Sequence, residues 1–298
     1  MASVAKLSRV AINRILLATD FSSESQKALQ CAISLAKRYN SKLFITHAVQ
    51  PDAAMRGMDM QVALPDLMHS NADQNIARIE QKGDLKSLPH AVILRSGEPW
   101  QIVSEVMSEE NIELIVMGTH GRGGISKLFL GSTAEKAMRH ASCPVLTVGS
   151  GSQSSLDRIG HILYATDFSD GSMCALPYAL AFAEEDGAEL IMLHVIETKP
   201  SHEGELVRWK SEDLQKMHEM VPTDVDLACR PEIEVEAGSP AEEILRLATT
   251  RNVELIVMGA HPDGPVTTHL PWTTLHHVLQ HAQCPVLTVR ARTSGFVN

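Results

Sequence analysis

The chain repeats itself once, and this duplication limits its possible folds more than any other feature of the sequence. Three blocks recur in the same order: RILLATDFS at 14–22 as HILYATDFS at 161–169, NIELIVMG at 111–118 as NVELIVMG at 252–259, and CPVLTV at 143–148 again at 284–289. Equivalent positions lie 147 residues apart in the first block and 141 apart in the later ones. So long a period indicates two complete domains rather than a solenoid of short repeats. We therefore expect two similar domains, 1–150 and 158–298, joined by a linker rich in Gly and Ser.

Within each copy, short apolar runs alternate with segments of helical periodicity. In the first copy the pattern predicts strands at 14–18, 42–49, 90–95, 113–118 and 144–148, and helices at 23–39, within 59–82, and at 99–110 and 132–140. The strand runs are almost continuously apolar, which is typical of parallel strands covered by helices on both faces. The alternation predicts an α/β fold of two tandem doubly wound domains, with ligands bound beyond the carboxyl ends of the strands.

The segment after the fourth predicted strand has the composition of an anion-binding loop. Its glycines are spaced G-x2-G-x9-G and are followed by two hydroxyl side chains: Gly118, Gly121, Gly131, Ser132 and Thr133. Glycine lets the backbone come close to a phosphate group. The N-terminus of the helix that follows attracts negative charge, and Arg122 and Lys127 add positive charge to the loop.

The same residues also allow a purely structural interpretation. Glycine-rich turns between a strand and a helix occur without any ligand, and Ser132 with Glu135 forms an S-x-x-E capping box. No Walker A loop is present, and GRGG differs from the dinucleotide fingerprint. From the spacing alone, a phosphate site and a ligand-free turn both remain open.

Taken together, the ATDFS start, the strand–helix alternation, the motif G-x2-G-x9-G-[ST] and the final CPVLTV resemble the universal stress protein family. The resemblance covers both copies and implies, for each, a five-stranded parallel sheet of order 3-2-1-4-5 between helices. Members with the full glycine motif typically bind ATP, whereas members without it often do not. The resemblance therefore implies one ATP, with Mg²⁺, in the first copy.

The resemblance also assigns roles to residues of the first copy. The expected nucleotide-binding set is Ala18, Thr19, Asp20, Ala48, Met117, Gly118, Gly121, Arg122, Gly131, Ser132 and Thr133. Asp20 matches an acidic residue beside the adenosine, Ala48 a backbone contact to adenine, and Met117 a contact near the sugar or base. The glycines and the two hydroxyl residues match positions that hold the ribose and phosphates. Asp20 has a second interpretation, because Asp-Phe-Ser can simply open a helix.

The second copy departs from the glycine motif. Pro262 stands at the position of Gly121, Asp263 at that of Arg122, and Trp272 at that of Gly131. Proline has no N–H to offer an anion, and the loop keeps no Lys or Arg. We expect that this copy does not bind ATP in the family's manner. Either Trp272 fills the pocket or the pocket takes an uncharged ligand.

The charges divide unequally between the copies. Residues 1–150 hold 16 basic and 14 acidic side chains, whereas residues 151–298 hold 10 and 22. Such a chain is not expected to take nucleic acid as its main partner, because nucleic-acid-binding surfaces are basic. The five cysteines form no CxxC pair, and no apolar run reaches the roughly 20 residues of a membrane span. We expect a cytoplasmic protein that does not associate with membranes.

Three functions are compatible with these features. The leading one is a stress-response protein in which ATP, bound in the first copy, biases conformation or partner choice. The alternatives are a slow ATPase or phosphotransferase, and a scaffold or small-ligand binder that acts through the acidic second copy. His277 and His281, four residues apart, could share a metal but are more often solvated surface side chains. The resemblance further implies that the two CPVLTV strands pair within the chain and that chains form a homodimer.

Overall fold

The computed structural model describes residues 11–49, 64–81, 85–119, 130–152, 155–197, 203–222, 230–260 and 270–291. The strands are β1 Arg14–Ala18, β2 Lys42–Val49, β3 His90–Ser96, β4 Leu114–Gly118, β5 Val145–Val148, β6 His161–Thr166, β7 Glu189–Ile196, β8 Glu232–Ala237, β9 Leu255–Ala260 and β10 Val286–Arg290. The helices are α1 Ser23–Tyr39, α2 Leu64–Gln81, α3 Pro99–Glu109, α4 Ser132–His140, α5 Asp170–Asp186, α6 Glu203–Met220, α7 Pro240–Thr250 and α8 Leu270–His281. The bounds predicted for the first copy agree to within one residue, apart from α2, which lies inside its predicted window.

The ten strands of the described ranges belong to one sheet, in the order β3-β2-β1-β4-β5-β10-β9-β6-β7-β8. Each half of this order reads 3-2-1-4-5 in the numbering of its own copy, and the strands within a half are parallel. The predicted fold class and strand order are therefore confirmed.

The two halves meet at an antiparallel pair, β5 with β10, in which Leu146 lies opposite Leu287. These two leucines are equivalent in the repeat, so the pair has a local two-fold axis. The threonine hydroxyls obey the same symmetry: Thr147 donates to the carbonyl of Val286 and Thr288 to that of Val145, both at 3.2 Å. The expected pairing of the two CPVLTV strands is confirmed.

Apolar residues pack against both faces of the sheet. Side chains alternate along a strand, so Ile15 and Leu17 of β1 enter a core with α1 and α5, whereas Leu16 enters a second core with α3 and α4. Ile15, Leu16 and Leu17 are all fully buried. The nearly continuous apolar strands of the sequence follow from this double coverage.

Local signals fix where the long helices begin and end. Ser22 caps α1 by accepting from the amide of Ser25 at 3.2 Å. Asn40 ends α1 in the left-handed conformation with φ +53°, and Gly187, its equivalent, ends α5 with φ +62°. Pro99 is the first residue of α3, where its missing N–H is harmless.

The C-terminal ends of α1 and α5 also join the halves. The guanidinium of Arg38 contacts Glu185 at 3.1 Å and Asp186 at 2.7 Å, and all three side chains are largely buried. Burial opposes the charged form of Arg38, but Tyr39 and the two carboxylates outweigh that effect and raise the pKa of the guanidinium. Breaking a pair in such a place leaves uncompensated charge behind.

Candidate functional site

Six of the predicted nucleotide-binding residues lie at the carboxyl ends of β1, β2 and β4: Ala18, Thr19, Asp20, Ala48, Met117 and Gly118. Ala18, the last residue of β1, lies beside Met117 of β4 and beside Thr46 of β2. Ala48 lies near the end of β2, and Gly118 ends β4 opposite Val148. Residues far apart in the sequence thus meet at one edge of the sheet, as the parallel topology requires.

Asp20 follows β1 directly and is engaged in the turn that opens α1. Its Oδ1 accepts from the amide of Ser22 at 3.1 Å, from the hydroxyl of Ser22 at 2.6 Å and from the hydroxyl of Ser25. The helix-opening role is therefore real, and the same bonds hold the carboxylate in a fixed orientation. The side chain is half-buried at the sheet edge, so a structural role and a role in the site are compatible.

His47 holds the backbone next to Asp20 in place. Nδ1 of His47 lies 2.7 Å from the carbonyl oxygen of Thr19, and because a carbonyl only accepts, Nδ1 carries the hydrogen. The His47 ring also packs on Phe21, with centroids 4.4 Å apart, and Phe21 has the unusual φ of +63°. A histidine within an apolar strand does not by itself reveal this role.

The second copy of the repeat contains the same arrangement of a histidine, a threonine carbonyl and a phenylalanine. In the second copy, Nδ1 of His194 lies 2.9 Å from the carbonyl of Thr166, and its ring packs on Phe168 at 4.3 Å. Phe168 has φ +62°. The turn after the first strand therefore has the same conformation and the same histidine contacts in both halves.

Helix α4 begins beside the end of β4. The amide of Gly131 donates to the carbonyl of Thr119 at 2.8 Å, which closes the base of the segment between them. Gly131 is the N-cap, with φ −62° and ψ 139°, and Ser132 and Thr133 are the first two helical residues. Their amides are among the four that a helix leaves without an internal partner, so this end of α4 can accept an anion.

The predicted capping box of Ser132 and Glu135 is wrong. Ser132 is the first helical residue rather than the cap, and no side chain caps the first turn. Glu135 instead pairs with Arg139 one turn later, at 3.1 Å. Because the extended residue before the helix is Gly131, the serine hydroxyl lacks the geometry that a capping box needs.

Contacts from α3 hold α4 in place. Glu98 caps α3 by accepting from the amide of Gln101 at 3.1 Å, and it also contacts the ammonium of Lys136 at 3.0 Å. Partial burial raises the pKa of the Glu98 carboxyl, but these bonds outweigh it and bring the pKa below its usual value. The ion pair is exposed and contributes orientation more than stability.

Two members of the expected set, Gly121 and Arg122, lie outside the described residues, as do Pro262 and Asp263 of the second copy. Trp272 falls in α8, but its side chain is not described. The rings of His277 and His281 meet edge to face, with centroids 4.4 Å apart and ring planes at 75°. Within the described ranges, no three or more His, Cys, Asp or Glu residues are grouped to hold a metal ion.

The second half differs in where its last helix begins. α8 starts at Leu270, whereas the position equivalent to Ser132 is Thr273. Thr273 and Thr274 are therefore the fourth and fifth residues of α8, whereas their equivalents, Ser132 and Thr133, are the first and second residues of α4. Compared with α4, α8 begins three residues earlier, which is about 4.5 Å along the helix axis at roughly 1.5 Å per residue.

Gly259, the equivalent of Gly118, is required for packing. A Cβ atom built on it would lie 2.3 Å from the amide nitrogen of Ser172 and 2.4 Å from the carbonyl carbon of Gly171, at the start of α5. The glycine at this position lets the helix approach the strand, whether or not a ligand binds. Its presence in the second copy is therefore no sign of a phosphate site.

Comparison with known proteins gives a consistent result. The sequence profile of the universal stress protein family matches residues 11–149 and again 158–290. A universal stress protein of Mycolicibacterium smegmatis is 27% identical over 293 residues, which cover 93% of this chain and 97% of the relative. Universal stress protein A homolog 1 of Coxiella burnetii is 33% identical over 141 residues, 45% of this chain and 94% of its own.

A solved structure also matches over nearly the whole chain. A universal stress protein of Archaeoglobus fulgidus superposes with a TM-score of 0.74 at 24% identity, covering 94% of this chain and 96% of the other. At that identity the likeness concerns the fold. Among the helices in the described ranges, none is long and apolar enough to cross a membrane.

Proposed function

Because the chain belongs to the universal stress protein family, we propose that it is a cytoplasmic stress-response protein that binds ATP in its first half as a nucleotide-dependent regulatory module. The observation that carries this proposal is the hydrogen bond from Gly131 to Thr119. It brings the free amides of α4 to the edge where β1 and β4 end. An anion-binding helix end and an ordered carboxylate, Asp20, then lie at the same edge of the sheet.

The chemistry of these residues fits an adenine nucleotide. Asp20 only accepts hydrogen bonds, which suits the amine or hydroxyl groups of adenosine rather than a phosphate. Ala48 and Met117 offer apolar surface and backbone groups for a base. The amides of Ser132 and Thr133 and their hydroxyls can hold phosphate oxygens, and the sequence adds Gly121 and Arg122 to the same segment.

A Mg²⁺ ion would accompany the phosphates of ATP and neutralise part of their charge. The hydroxyls of Ser132 and Thr133 are oxygen donors that suit it. Phosphoryl transfer also needs a residue that positions the attacking group. No described residue at this edge is assigned that role, so we propose binding and regulation ahead of an ATPase or phosphotransferase.

Titration of the full chain with ATP and Mg²⁺ by calorimetry tests the proposal. We expect one ATP per chain, and we expect Asp20→Asn to weaken binding by about tenfold, the effect of losing one charged hydrogen bond. Asp73→Asn, which changes an exposed carboxylate on α2, is the matched control and should bind as the parent does. Thermal unfolding of each variant separates lost binding from lost folding.

The same sample separates the alternatives. ATP that stays intact over hours while bound supports the regulatory module, and stoichiometric release of ADP would favour the enzyme. A chain with no affinity for ATP would contradict the proposal and leave the scaffold as the better interpretation.

A further inference from the structure

The second half has its own cleft, on the opposite edge of the sheet from the predicted ATP site. It lies beyond the carboxyl ends of β6, β7 and β9 and encloses about 600 Å³, including space open to solvent. Because β5 and β10 run antiparallel, the carboxyl ends of the two halves point in opposite directions. The cleft occupies the position that corresponds to the site of the first half.

The walls of this cleft are apolar. Leu193 and Val195 come from β7, Met258 comes from β9, and Ile244 comes from α7. All four are buried. A cleft with apolar walls and polar groups at its rim has the general character of a small-molecule site.

The charged groups that line it are of one sign. Asp167 follows β6 and Glu197 follows β7, and both are exposed residues on the rim. None of the described residues that line the cleft is Lys or Arg. Asp167 is already oriented, because it accepts from the amide of Ser169 at 3.1 Å.

Among the described residues that line this cleft, none supplies the free amides of a helix start that would receive a phosphate. Thr274 contributes to the lining, but as the fifth residue of α8 its amide has a partner within the helix. In α4 the equivalent residue, Thr133, is the second and its amide is free. The two carboxylates also repel a phosphate, and the low-dielectric wall strengthens that repulsion.

We propose that the second-half cleft binds a small organic cation, an amine carried on an apolar body. The apolar body would lie against Leu193, Val195 and Met258, and the ammonium group would donate to Asp167 and Glu197. Charge-assisted hydrogen bonds of this kind are stronger than neutral ones. This site is separate from the proposed ATP site and does not depend on it.

Calorimetric titration of the full chain with phenethylamine and tryptamine tests this proposal, with ATP present at saturation. Phenethyl alcohol and hydrocinnamate, the neutral and anionic analogues, are titrated in parallel. We expect each amine to bind at one site, and phenethylamine to bind at least about threefold more tightly than the alcohol, as for a partly exposed ion pair. Hydrocinnamate should bind more weakly than the alcohol, and raising the salt concentration should reduce the preference for amines.

Two variants locate the site. Asp167→Asn and Glu197→Gln keep the shape and an acceptor oxygen but remove the charge, so each should reduce the preference for phenethylamine over the alcohol. Glu212→Gln on α6, an exposed residue outside the cleft, changes net charge equally and should leave the preference intact. Amines that bind no better than the neutral analogue, or that respond equally to all three variants, would overturn the proposal.

Discussion

Arg38 and Glu185 occupy the same position in the two copies of the repeat, 147 residues apart, and they form an ion pair with each other at 3.1 Å. Residues that are equivalent under a two-fold axis meet their own counterparts when they lie close to that axis. Two first halves paired in this way would bring Arg38 against Arg38, and two second halves would bring Glu185 against Glu185. The duplication has therefore made the two halves complementary, in line with their opposite net charges.

Replacing Arg38 with Met should destabilise the chain by about 3 kcal/mol, because it leaves Glu185 and Asp186 buried without their cation. Urea unfolding followed by circular dichroism measures the shift. The double variant Arg38→Met, Glu185→Gln should lose less than the sum of the two single variants, by at least about 1 kcal/mol. Strictly additive losses would mean that the pair contributes no coupling.

Replacing Gly131 with Trp, the residue of the second copy, should reduce ATP affinity by about tenfold or more, since an indole beside the helix end removes space for phosphate. The backbone at Gly131, with φ −62°, accepts any residue, so the fold should survive. ATP titration and thermal unfolding measure the two effects. Gly131→Ala is the milder control, and an unchanged affinity in the Trp variant would contradict the assignment of this helix end.

Replacing Gly259 with Ala should destabilise the second half by about 2 kcal/mol, because the new Cβ would overlap the backbone at the start of α5. Gly187→Asn is the matched control. Nothing lies within 4 Å of a Cβ at Gly187, and the equivalent residue of the first copy is Asn40 in the same left-handed conformation. Urea midpoints should separate the two variants clearly; equal midpoints would show that the strand and helix can move apart.

Ser22 and Ser132 both stand at helix starts, but they should respond differently to alanine. Ser22→Ala removes the cap of α1 and should cost about 1 kcal/mol of stability. Ser132→Ala removes no cap, so its stability should change by less than about 0.5 kcal/mol, while its ATP affinity should fall. Thermal unfolding and ATP titration of both variants provide the comparison, and a large loss of stability in Ser132→Ala would restore the capping role.

Cys31 and Cys284 should resist alkylation in the native protein. Burial raises the pKa of each thiol to about 12, so near neutral pH almost none of the reactive thiolate is present. Among the cysteines in the described ranges, Cys174 on α5 is the exposed one, and a maleimide should modify it before Cys31 and Cys284, as peptide mapping would reveal. Rapid modification of Cys31 without denaturant would indicate that the α1 core opens readily.

Much of the fold could be predicted because its signals are local or repeated. The apolar runs set the strands, and Ser22, Asn40 and Pro99 mark helix ends through their own backbone preferences. The pairing of the two CPVLTV strands followed from family resemblance, because no local signal in a strand specifies its neighbour across a two-fold axis.

The site was harder to predict, because its details depend on contacts distant in sequence. The start of α8 at Leu270 lies three residues before the position equivalent to Ser132, and the repeat in the sequence gives no sign of that shift. Gly118 and Gly259 occupy equivalent positions in the repeat. At Gly259, however, the need for a residue without a side chain comes from α5, more than eighty residues earlier in the chain. The hydrogen bond from His47 to Thr19 joins β2 to the residue that follows β1 and becomes visible only once the two strands are paired.

The antiparallel seam also determines how many copies of the chain can associate through their sheets. A strand has two hydrogen-bonding sides, and β5 uses one for β4 and the other for β10. Both sides of β5 are therefore already paired within the chain. A second copy of the chain cannot extend the sheet at this strand, as it could at the last strand of a single-domain relative. Within the described residues, β3 and β8 are the strands at which the sheet ends, so these outer strands and the helix faces are the surfaces that the sheet leaves for contact with a second copy of the chain.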